Sequence, residues 1–405
     1  MKIAFVFALS ALATNAQVFN SFEVCGASAS AQNGTLVNGM NGRGTVVGRA
    51  YTATHQAVGY MRTIDGKVTC IIVPGSNWTS AQSINNAGIV TGSFSTSPEE
   101  FAEAFILNTD GSLTTFSVPQ NAFTSPAGIN ESGVVAGTAT PTFGFYSAFI
   151  RAADGTLINF DAPSGTTSVA GINDEGAVTG SVTKGRIGFS LGFVRSPDGT
   201  FQEFAFPGGC DQGVDATYPA AINQAGDVTG HYDDCSGKAH GFVRTKDNVF
   251  TTFDPPGSVD AFPLAIDSQG DIAGYFINGA GGYVGFVRAG GGTNAITTFS
   301  VPGSVYTAGD AINGTIMGGT YQDTGLVYHG FIVSSVGADP AGSITGRPTK
   351  AGSQTKKSPP RQCLRPAESR LSLHTTSTLY RSEPSKGLRL ADSAIVCLFS
   401  ACSGC

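Results

Sequence analysis

The sequence predicts an all-β fold, a seven-bladed β-propeller of four-stranded blades closed by the N-terminal strand. Three observations lead to this prediction: a motif that recurs seven times, turn residues that divide each copy into four short strands, and an N-terminal segment that resembles the strand missing from the last copy. Composition agrees, because 55 glycines and 13 % charged residues among 405 are typical of short strands and tight turns rather than of helices or disorder.

The repeated motif reads Ile-Asn-x-x-Gly-x-Val-x-Gly, and its last copy is two residues shorter than the others. Its copies begin at Met40, Ile84, Ile129, Ile172, Ile222, Ile266 and Ile312. The spacings between them are 44, 45, 43, 50, 44 and 46 residues. A period of roughly 40 to 50 residues with four strands in each copy is typical of a propeller blade.

Turn chemistry supplies the strand boundaries. Asn at the first and Gly at the fourth position of Asn-x-x-Gly suit a type I turn, and an Asp-Gly pair between apolar alternations marks a second hairpin, as at Asp110-Gly111. The second strand keeps an internal glycine, which predicts a close approach by a neighbouring segment. These glycines are Gly48, Gly92, Gly137, Gly180, Gly230, Gly274 and Gly318.

The last copy lacks its final strand. Elsewhere this strand reads Phe-x-x-Phe-Asp-x-Pro, as in Phe250–Pro256, but nothing similar follows His329–Val333. The segment Phe19–Val24 resembles the missing strand. We therefore expect the N-terminal strand to complete the last blade and close the ring, with an open β-solenoid as the alternative.

The chain divides into three parts by composition. Residues 1–16 are predicted to be a signal peptide, because Lys2 precedes the apolar run Ile3–Ala13 and small residues follow. Residues 17–335 hold the repeats, and residues 336–405 form a basic tail without repeats. The tail is expected to be disordered, or to reflect translation past the natural end of the gene. The mature protein is predicted to be extracellular or periplasmic, monomeric and without a transmembrane segment.

Charge restricts the possible partners. Residues 17–335 contain twelve basic and twenty-five acidic residues. Because phosphate binding requires a cationic surface, this acidic part of the chain argues against a nucleic-acid partner.

A recurring triplet at the start of the third strand resembles that of a known family. It appears as His240-Gly241-Phe242 and His329-Gly330-Phe331, and in reduced form as Ala104-Phe105 and Ala148-Phe149. These residues resemble the extracellular HAF-type repeat proteins, named for a His-Ala-Phe-like triplet. The resemblance covers about residues 17–335 and implies export and a β-repeat architecture, but no assigned chemistry.

Two cysteines mark the divergent fifth copy. Cys210 lies in its long entry loop and Cys235 lies between its second and third strands. Both loops should emerge on the same face, so a Cys210–Cys235 disulfide is predicted, with free thiols as the alternative. No Cys-x-x-Cys pair is matched by a second one, which argues against a zinc site.

Polar residues around the fifth copy form the candidate ligand-binding site. They are Asp211, Asp215, His231, Asp233, Asp234 and His240, with Asp254 on the following strand end. Carboxylates and histidines together could bind Ca²⁺ or act as acid and base, although no cofactor is expected. The alternative is a structural role, since His329 occupies the position of His240 and Asp161 that of Asp254.

Trp78 is the single tryptophan and is predicted to lie in a loop, where an exposed ring would suit sugar stacking, with half-buried packing as the favoured alternative. No nucleophile motif is present, so no catalytic residue is assigned. The favoured function is a binding module for an extracellular polysaccharide or surface protein. The alternatives are an extracellular polymer-degrading glycosidase or lyase that uses carboxylates of this face, and a purely structural or adhesive surface protein.

Overall fold

A computed structural model of the protein describes residues 18–53, 56–97, 101–141, 146–184, 189–207 and 216–334. The predicted signal peptide and basic tail lie outside these ranges. The described residues form twenty-eight β-strands, with no α-helix among them, so the predicted all-β class is confirmed. In these ranges the structure has no helix that could cross a membrane.

The strands group into seven four-stranded units, the last of which takes its fourth strand from the N-terminus. Unit 1 consists of β2 (Gly34–Met40), β3 (Val46–Tyr51), β4 (Ala57–Arg62) and β5 (Val68–Ile71); unit 2 of β6 (Trp78–Ile84), β7 (Val90–Ser95), β8 (Glu103–Leu107) and β9 (Leu113–Phe116); unit 3 of β10 (Phe123–Ile129), β11 (Val135–Thr140), β12 (Ser147–Arg151) and β13 (Leu157–Phe160). Unit 4 consists of β14 (Thr166–Ile172), β15 (Val178–Lys184), β16 (Phe189–Arg195) and β17 (Phe201–Phe204); unit 5 of β18 (Ala216–Ile222), β19 (Val228–Asp233), β20 (Ala239–Arg244) and β21 (Phe250–Phe253). Unit 6 consists of β22 (Ser258–Ile266), β23 (Ile272–Asn278), β24 (Tyr283–Arg288) and β25 (Ile296–Phe299); unit 7 of β26 (Ser304–Asn313), β27 (Ile316–Asp323), β28 (Tyr328–Ser334) and β1 (Asn20–Phe22).

Each unit is an antiparallel meander with two ends. We call the end that carries the Asn-x-x-Gly turns the turn end, and the end where the second strand joins the third the connection end. The described strands form five hydrogen-bonded sheets rather than the seven separate ones predicted. The reason is local: single parallel bridges, Gly34–Tyr328 and Ser190–Ala216, join units 7 and 1 and units 4 and 5.

The N-terminal strand completes unit 7, as the sequence predicted. β1 pairs antiparallel with β28, with Asn20 opposite Ile332. Phe19 is fully buried against Phe299 and Phe331, at ring-centroid distances of 6.1 and 5.3 Å. Its burial removes a large apolar side chain from water, which stabilises the paired strand.

A disulfide that the sequence analysis did not predict fastens this segment. Cys25, just after β1, is bonded to Cys70 of β5, so the bond joins the segments at the outer edges of units 7 and 1. The two cysteines are 45 residues apart, which matches one repeat period.

The Asn-x-x-Gly turns both close a hairpin and connect neighbouring units. In unit 2, the Gly88 amide donates to the Asn85 carbonyl oxygen, and Gly88 takes the positive φ (92°) that favours glycine. The side-chain Oδ1 of Asn85 accepts from the Ile89 amide, and its Nδ2 donates to the Asn130 carbonyl oxygen of unit 3. The same inter-unit bond is made by Asn41, Asn130, Asn173 and Asn223.

The internal glycine of the second strand is required by close approach. A Cβ on Gly137 would lie 2.3 Å from the Ser125 carbonyl oxygen and 2.7 Å from the Phe149 ring. In unit 7 the predicted Gly318 lies within the second strand, where a Cβ would lie 3.0 Å from the Val46 side chain, but it is not the residue opposite the ring. Gly319 faces Phe331 there, because the turn that precedes it is shorter. The aromatic ring belongs to a series of buried third-strand residues: Phe105, Phe149, Phe193, Phe242, Phe286 and Phe331.

Candidate binding site

One residue pair near the connection end differs sharply between units. It lies on the first and second strands, and in units 2 to 4 it consists of hydroxyl residues: Ser80–Ser93, Ser125–Thr138 and Ser168–Ser181. In units 5 and 6 the same pair is aromatic, Tyr218–His231 and Phe262–Tyr275. The strand register is the same in all five units, so the difference is one of side-chain chemistry rather than of backbone.

These aromatic side chains form a continuous row across units 5 to 7. Ring centroids are 4.9 Å apart between Tyr218 and His231, 5.1 Å between His231 and Phe262, and 5.0 Å between Phe262 and Tyr275. Tyr306 continues the row at 5.5 Å from Tyr275. We call these five residues, together with Tyr283, the aromatic row.

The accessible end of the row is a group of three tyrosines, the tyrosine triad. Tyr283 lies 6.0 Å from Tyr275 and 5.6 Å from Tyr306, measured between ring centroids. Tyr283 is 39 % exposed and the other two are half-buried. His231 and Phe262 are buried, at 5 % and 8 % exposure, so the inner part of the row supports the triad rather than facing solvent.

A carboxyl group of the first strand of unit 7 interacts electrostatically with Tyr306 of the triad. Asp310 accepts a hydrogen bond from the Thr320 hydroxyl at 2.5 Å, and burial raises its pKa to about 7. Burial, and then the charge of Asp310, raises the pKa of Tyr306 well above its usual value. The hydroxyl of Tyr306 therefore stays neutral and able to donate a hydrogen bond.

Aromatic residues continue into the junction between units 7 and 1. Tyr328 interacts electrostatically with Tyr306 and Tyr283 of the triad, and its pKa is raised, mainly by burial. In unit 1 the Arg49 guanidinium lies 5.5 Å from the centre of the Tyr51 ring, within the range of a cation–π interaction.

Carboxylates lie at the other end of the row, in units 5 and 6. Asp233 is half-buried, and its pKa is raised to about 6 by burial and then by the charges of Asp260 and Asp234. Asp260 accepts a hydrogen bond from the Ala239 amide at 3.0 Å. Burial lowers the pKa of His231 to about 4, so this ring is neutral at pH 7.

His240 is held between two carboxylates. Its Nδ1 lies 2.9 Å from Asp254 Oδ2 and its Nε2 lies 3.4 Å from Asp234 Oδ2. The same arrangement recurs in unit 7, where His329 lies between Glu23 and Asp323. His240 and Asp254, which the sequence analysis grouped on one face, are therefore in contact, as a feature that two units share.

Other predicted residues lie apart from this cluster or outside the described part of the chain. Trp78 is the first residue of β6 in unit 2, half-buried and opposite Ser95, rather than in a loop. Asp211, Asp215 and Cys210 lie outside the described residues. Cys235 is disulfide-bonded, and its pairing with Cys210 stays a prediction.

Metal binding stays a prediction as well. Within the described ranges, no three His, Cys, Asp or Glu side chains are placed so that they could hold a metal ion. Because Asp211 and Asp215 are not among the described residues, this observation covers only part of the predicted site.

Sequence analysis missed most of the aromatic row, although a signal was present. His231 and Tyr275 directly follow the internal glycines Gly230 and Gly274, where units 2 to 4 carry Ser or Thr. Comparing the residue after the internal glycine between units 2 to 6 identifies units 5 and 6 as different. The triad itself also depends on Tyr283, from the neighbouring strand of unit 6, and on Tyr306, whose contact with Tyr275 arises from the packing of unit 7 against unit 6.

No protein-family model matches the sequence, and no curated protein matches it. Among solved structures, virginiamycin B lyase from Staphylococcus aureus is similar at 14 % identity with a TM-score of 0.50, over 78 % of this chain and 99 % of the lyase. A puromycin hydrolase complexed with PGG is similar at 12 % identity with a TM-score of 0.51, over 76 % of this chain and 53 % of the hydrolase. A lectin from Burkholderia pseudomallei matches at 12 % identity with a TM-score of 0.43, over 76 % of this chain and 97 % of the lectin. At such identities the similarity shows the fold alone, a propeller-like all-β repeat.

Proposed function

We propose that this protein is a secreted, non-enzymatic binding module that recognises an extracellular ligand through the connection end of units 5 to 7. The single observation that carries the proposal is the aromatic row. The motif residues of the repeat are used within the fold, as the bonds of Asn85 and the packing around Gly137 illustrate. The row is the feature that the repeat does not require, since units 2 to 4 have Ser or Thr at the same positions.

The scaffold of the proposed module is a closed seven-bladed propeller. Two observations support closure. β1 completes unit 7, and the first strands of successive units contact one another throughout, including β26 of unit 7 with β2 of unit 1. A closed ring is rigid and leaves few exposed strand edges, so it holds loops and side chains at its face in fixed positions. Membership of the extracellular HAF-type repeat proteins is part of the same proposal.

Export is supported by cysteine chemistry. The Cys25–Cys70 disulfide is expected to persist in an oxidising compartment, which agrees with the signal peptide predicted at residues 1–16. We therefore place the protein outside the cytoplasm, where a polysaccharide or a surface protein would be available as ligand.

A second candidate function is favoured by one specific observation. Asp233 has a pKa raised to about 6 and lies near Asp260, so it could donate a proton near neutral pH. Paired carboxylates of this kind carry out glycoside hydrolysis when their separation suits the substrate. The second candidate is therefore an extracellular polymer-degrading enzyme.

Incubation of the purified secreted chain with a panel of polysaccharides and surface proteins distinguishes the two functions. We expect depletion of the protein from solution without release of reducing ends. If the unaltered protein releases reducing ends and Asp233→Asn does not, the enzymatic function is supported and the non-enzymatic one is contradicted. Absence of both depletion and release would contradict both.

A further inference from the structure

The tyrosine triad is the accessible aromatic surface of the row. Its three rings lie 5.5 to 6.0 Å apart and are tilted by 43 to 58° to one another. Rings at this distance contact each other directly, so the triad leaves no room for a cation enclosed between them. It presents a platform instead, with the exposed ring of Tyr283 at its outer edge.

This platform is held in place before any ligand arrives. Tyr275 stacks on the buried Phe262 ring, at 5.0 Å and 28° between planes, and Phe262 in turn packs against the buried His231. Side chains fixed in this way lose little conformational freedom on binding, which is the condition for tight recognition by a small surface.

Polar groups surround the platform. The Asp310 carboxyl and the Tyr328 ring both interact electrostatically with Tyr306, and Asp310 is held by Thr320. A ligand placed on the rings would therefore meet tyrosine hydroxyl groups at its edge. Apolar faces combined with hydrogen-bonding edges are also the two properties of a pyranose ring.

We propose that the tyrosine triad of Tyr275, Tyr283 and Tyr306 binds a neutral polysaccharide by stacking a sugar ring on Tyr283. The inference rests on the proposed binding function and names the ligand class of that site. The C–H face of the sugar packs on the aromatic ring, and its hydroxyl groups reach the neighbouring tyrosine hydroxyls.

Charge favours a neutral ligand over an anionic one. The row has Asp233 and Asp260 at one end. Residues 17–335 as a whole carry an excess of acidic residues. A polyuronate or sulfated polymer would be repelled by this excess of negative charge, whereas an uncharged chain would not.

Affinity electrophoresis of the full secreted chain tests the inference. Native gels would contain laminarin, xyloglucan or galactomannan as neutral probes, and alginate or heparin as anionic ones. We expect retardation by at least one neutral probe and by neither anionic probe. Tyr283→Ala should weaken that binding by about tenfold, the range expected for losing one stacked aromatic side chain. Tyr283→Phe, which keeps the ring, should stay within about threefold of the unaltered protein.

A matched control comes from unit 3. Tyr146 is 47 % exposed and lies outside the row. It directly precedes the third strand of unit 3, and Tyr283 is the first residue of the third strand of unit 6. Tyr146→Ala should bind like the unaltered protein, and all variants should keep its unfolding temperature. Undiminished binding by Tyr283→Ala would overturn the inference while leaving the binding function in place. Binding to surface proteins or anionic polymers alone would also overturn the inference and leave the binding function in place. A chain that binds none of the probes and no surface protein contradicts both proposals.

Discussion

The side-chain amide of Asn85 donates a hydrogen bond to the backbone carbonyl oxygen of Asn130 in the next unit, at 3.1 Å. The bond is buried and recurs between units 1 to 6, so the motif asparagine connects each of units 1 to 5 to its successor while it also shapes its own turn. A residue that does both is required by the repeat and is therefore unavailable for ligand binding.

Replacing Asn130 by Ala should destabilise the protein by roughly 1–3 kcal/mol, because it removes two buried or half-buried hydrogen bonds: the one that Asn130 Nδ2 donates to the Asn173 carbonyl oxygen and the one that Asn130 Oδ1 accepts from the Val134 amide. Urea unfolding measures the effect. Asn108→Ala is the control, since the Asn108 amide bonds the nearby Ser112 hydroxyl at an exposed outer hairpin and links no two units. Equal effects of the two substitutions would show that the inter-unit bond contributes nothing.

Phe19→Ala should destabilise the protein by about 3–5 kcal/mol, because the ring of Phe19 is fully buried against Phe299 and Phe331. Val18→Ala next to it changes a side chain that is 53 % exposed and should have little effect. Deleting Phe19–Val24 is the stronger test by the same unfolding measurement. Unchanged stability of that deletion would mean that the N-terminal strand does not close the ring.

Loss of the Cys25–Cys70 bond should cost roughly 2–4 kcal/mol, as expected for a cross-link across a loop of several tens of residues. The double variant Cys25→Ser/Cys70→Ser provides the measurement, compared with the oxidised parent in the same buffer. We expect hydrogen exchange to increase first in β1 and at its partner β28. Faster exchange confined to units far from β1 would contradict a role in fastening the N-terminal strand.

Asp310 should make the protein less stable as the pH rises from about 4 to 7. Burial raises its pKa in the folded state to about 7 from an ordinary 3.8, so its contribution to stability is complete below 3.8 and is lost as the pH rises through 7. Asp310→Asn should flatten this part of the stability profile, measured by urea unfolding at several pH values. Asp110→Asn is the control, because hydrogen bonds from Ser112 lower the pKa of Asp110 and move its effect to more acidic pH. If the stability of Asp310→Asn falls with pH as steeply as that of the parent protein, Asp310 is not the group responsible for this pH dependence.

The seven copies, their strand boundaries and the pairing of the N-terminal strand could be predicted from sequence because each depends on local chemistry. Glycine at the fourth position of Asn-x-x-Gly is needed for a positive φ, as Gly88 and Gly133 show. The resemblance of Phe19–Val24 to Phe250–Pro255 predicted β1 because both segments form the outer strand of a unit, with Phe22 and Phe253 buried at the equivalent position. Such requirements repeat at fixed spacing and are visible without coordinates.

Features that arise between units were harder to predict. The Cys25–Cys70 bond joins two neighbouring units, and its spacing of one repeat period was its only trace in the sequence. In the predicted ligand site, His231, Asp233, Asp234 and His240 do lie in one region, but His240 is held by carboxylates as His329 is. The tyrosine triad combines β23, β24 and β26, and no local pattern in any one strand indicates it.

Hydrogen–deuterium exchange with mass spectrometry, with and without a neutral polysaccharide such as laminarin or xyloglucan, tests most directly whether the protein binds through this face. We expect slower exchange at the connection end of units 6 and 7, in the segments 275–284 and 304–310. The Asn-x-x-Gly turns at the opposite end should exchange at the same rate with and without the polysaccharide. Protection confined to those turns, or to units 2 to 4, would contradict binding through the tyrosine triad.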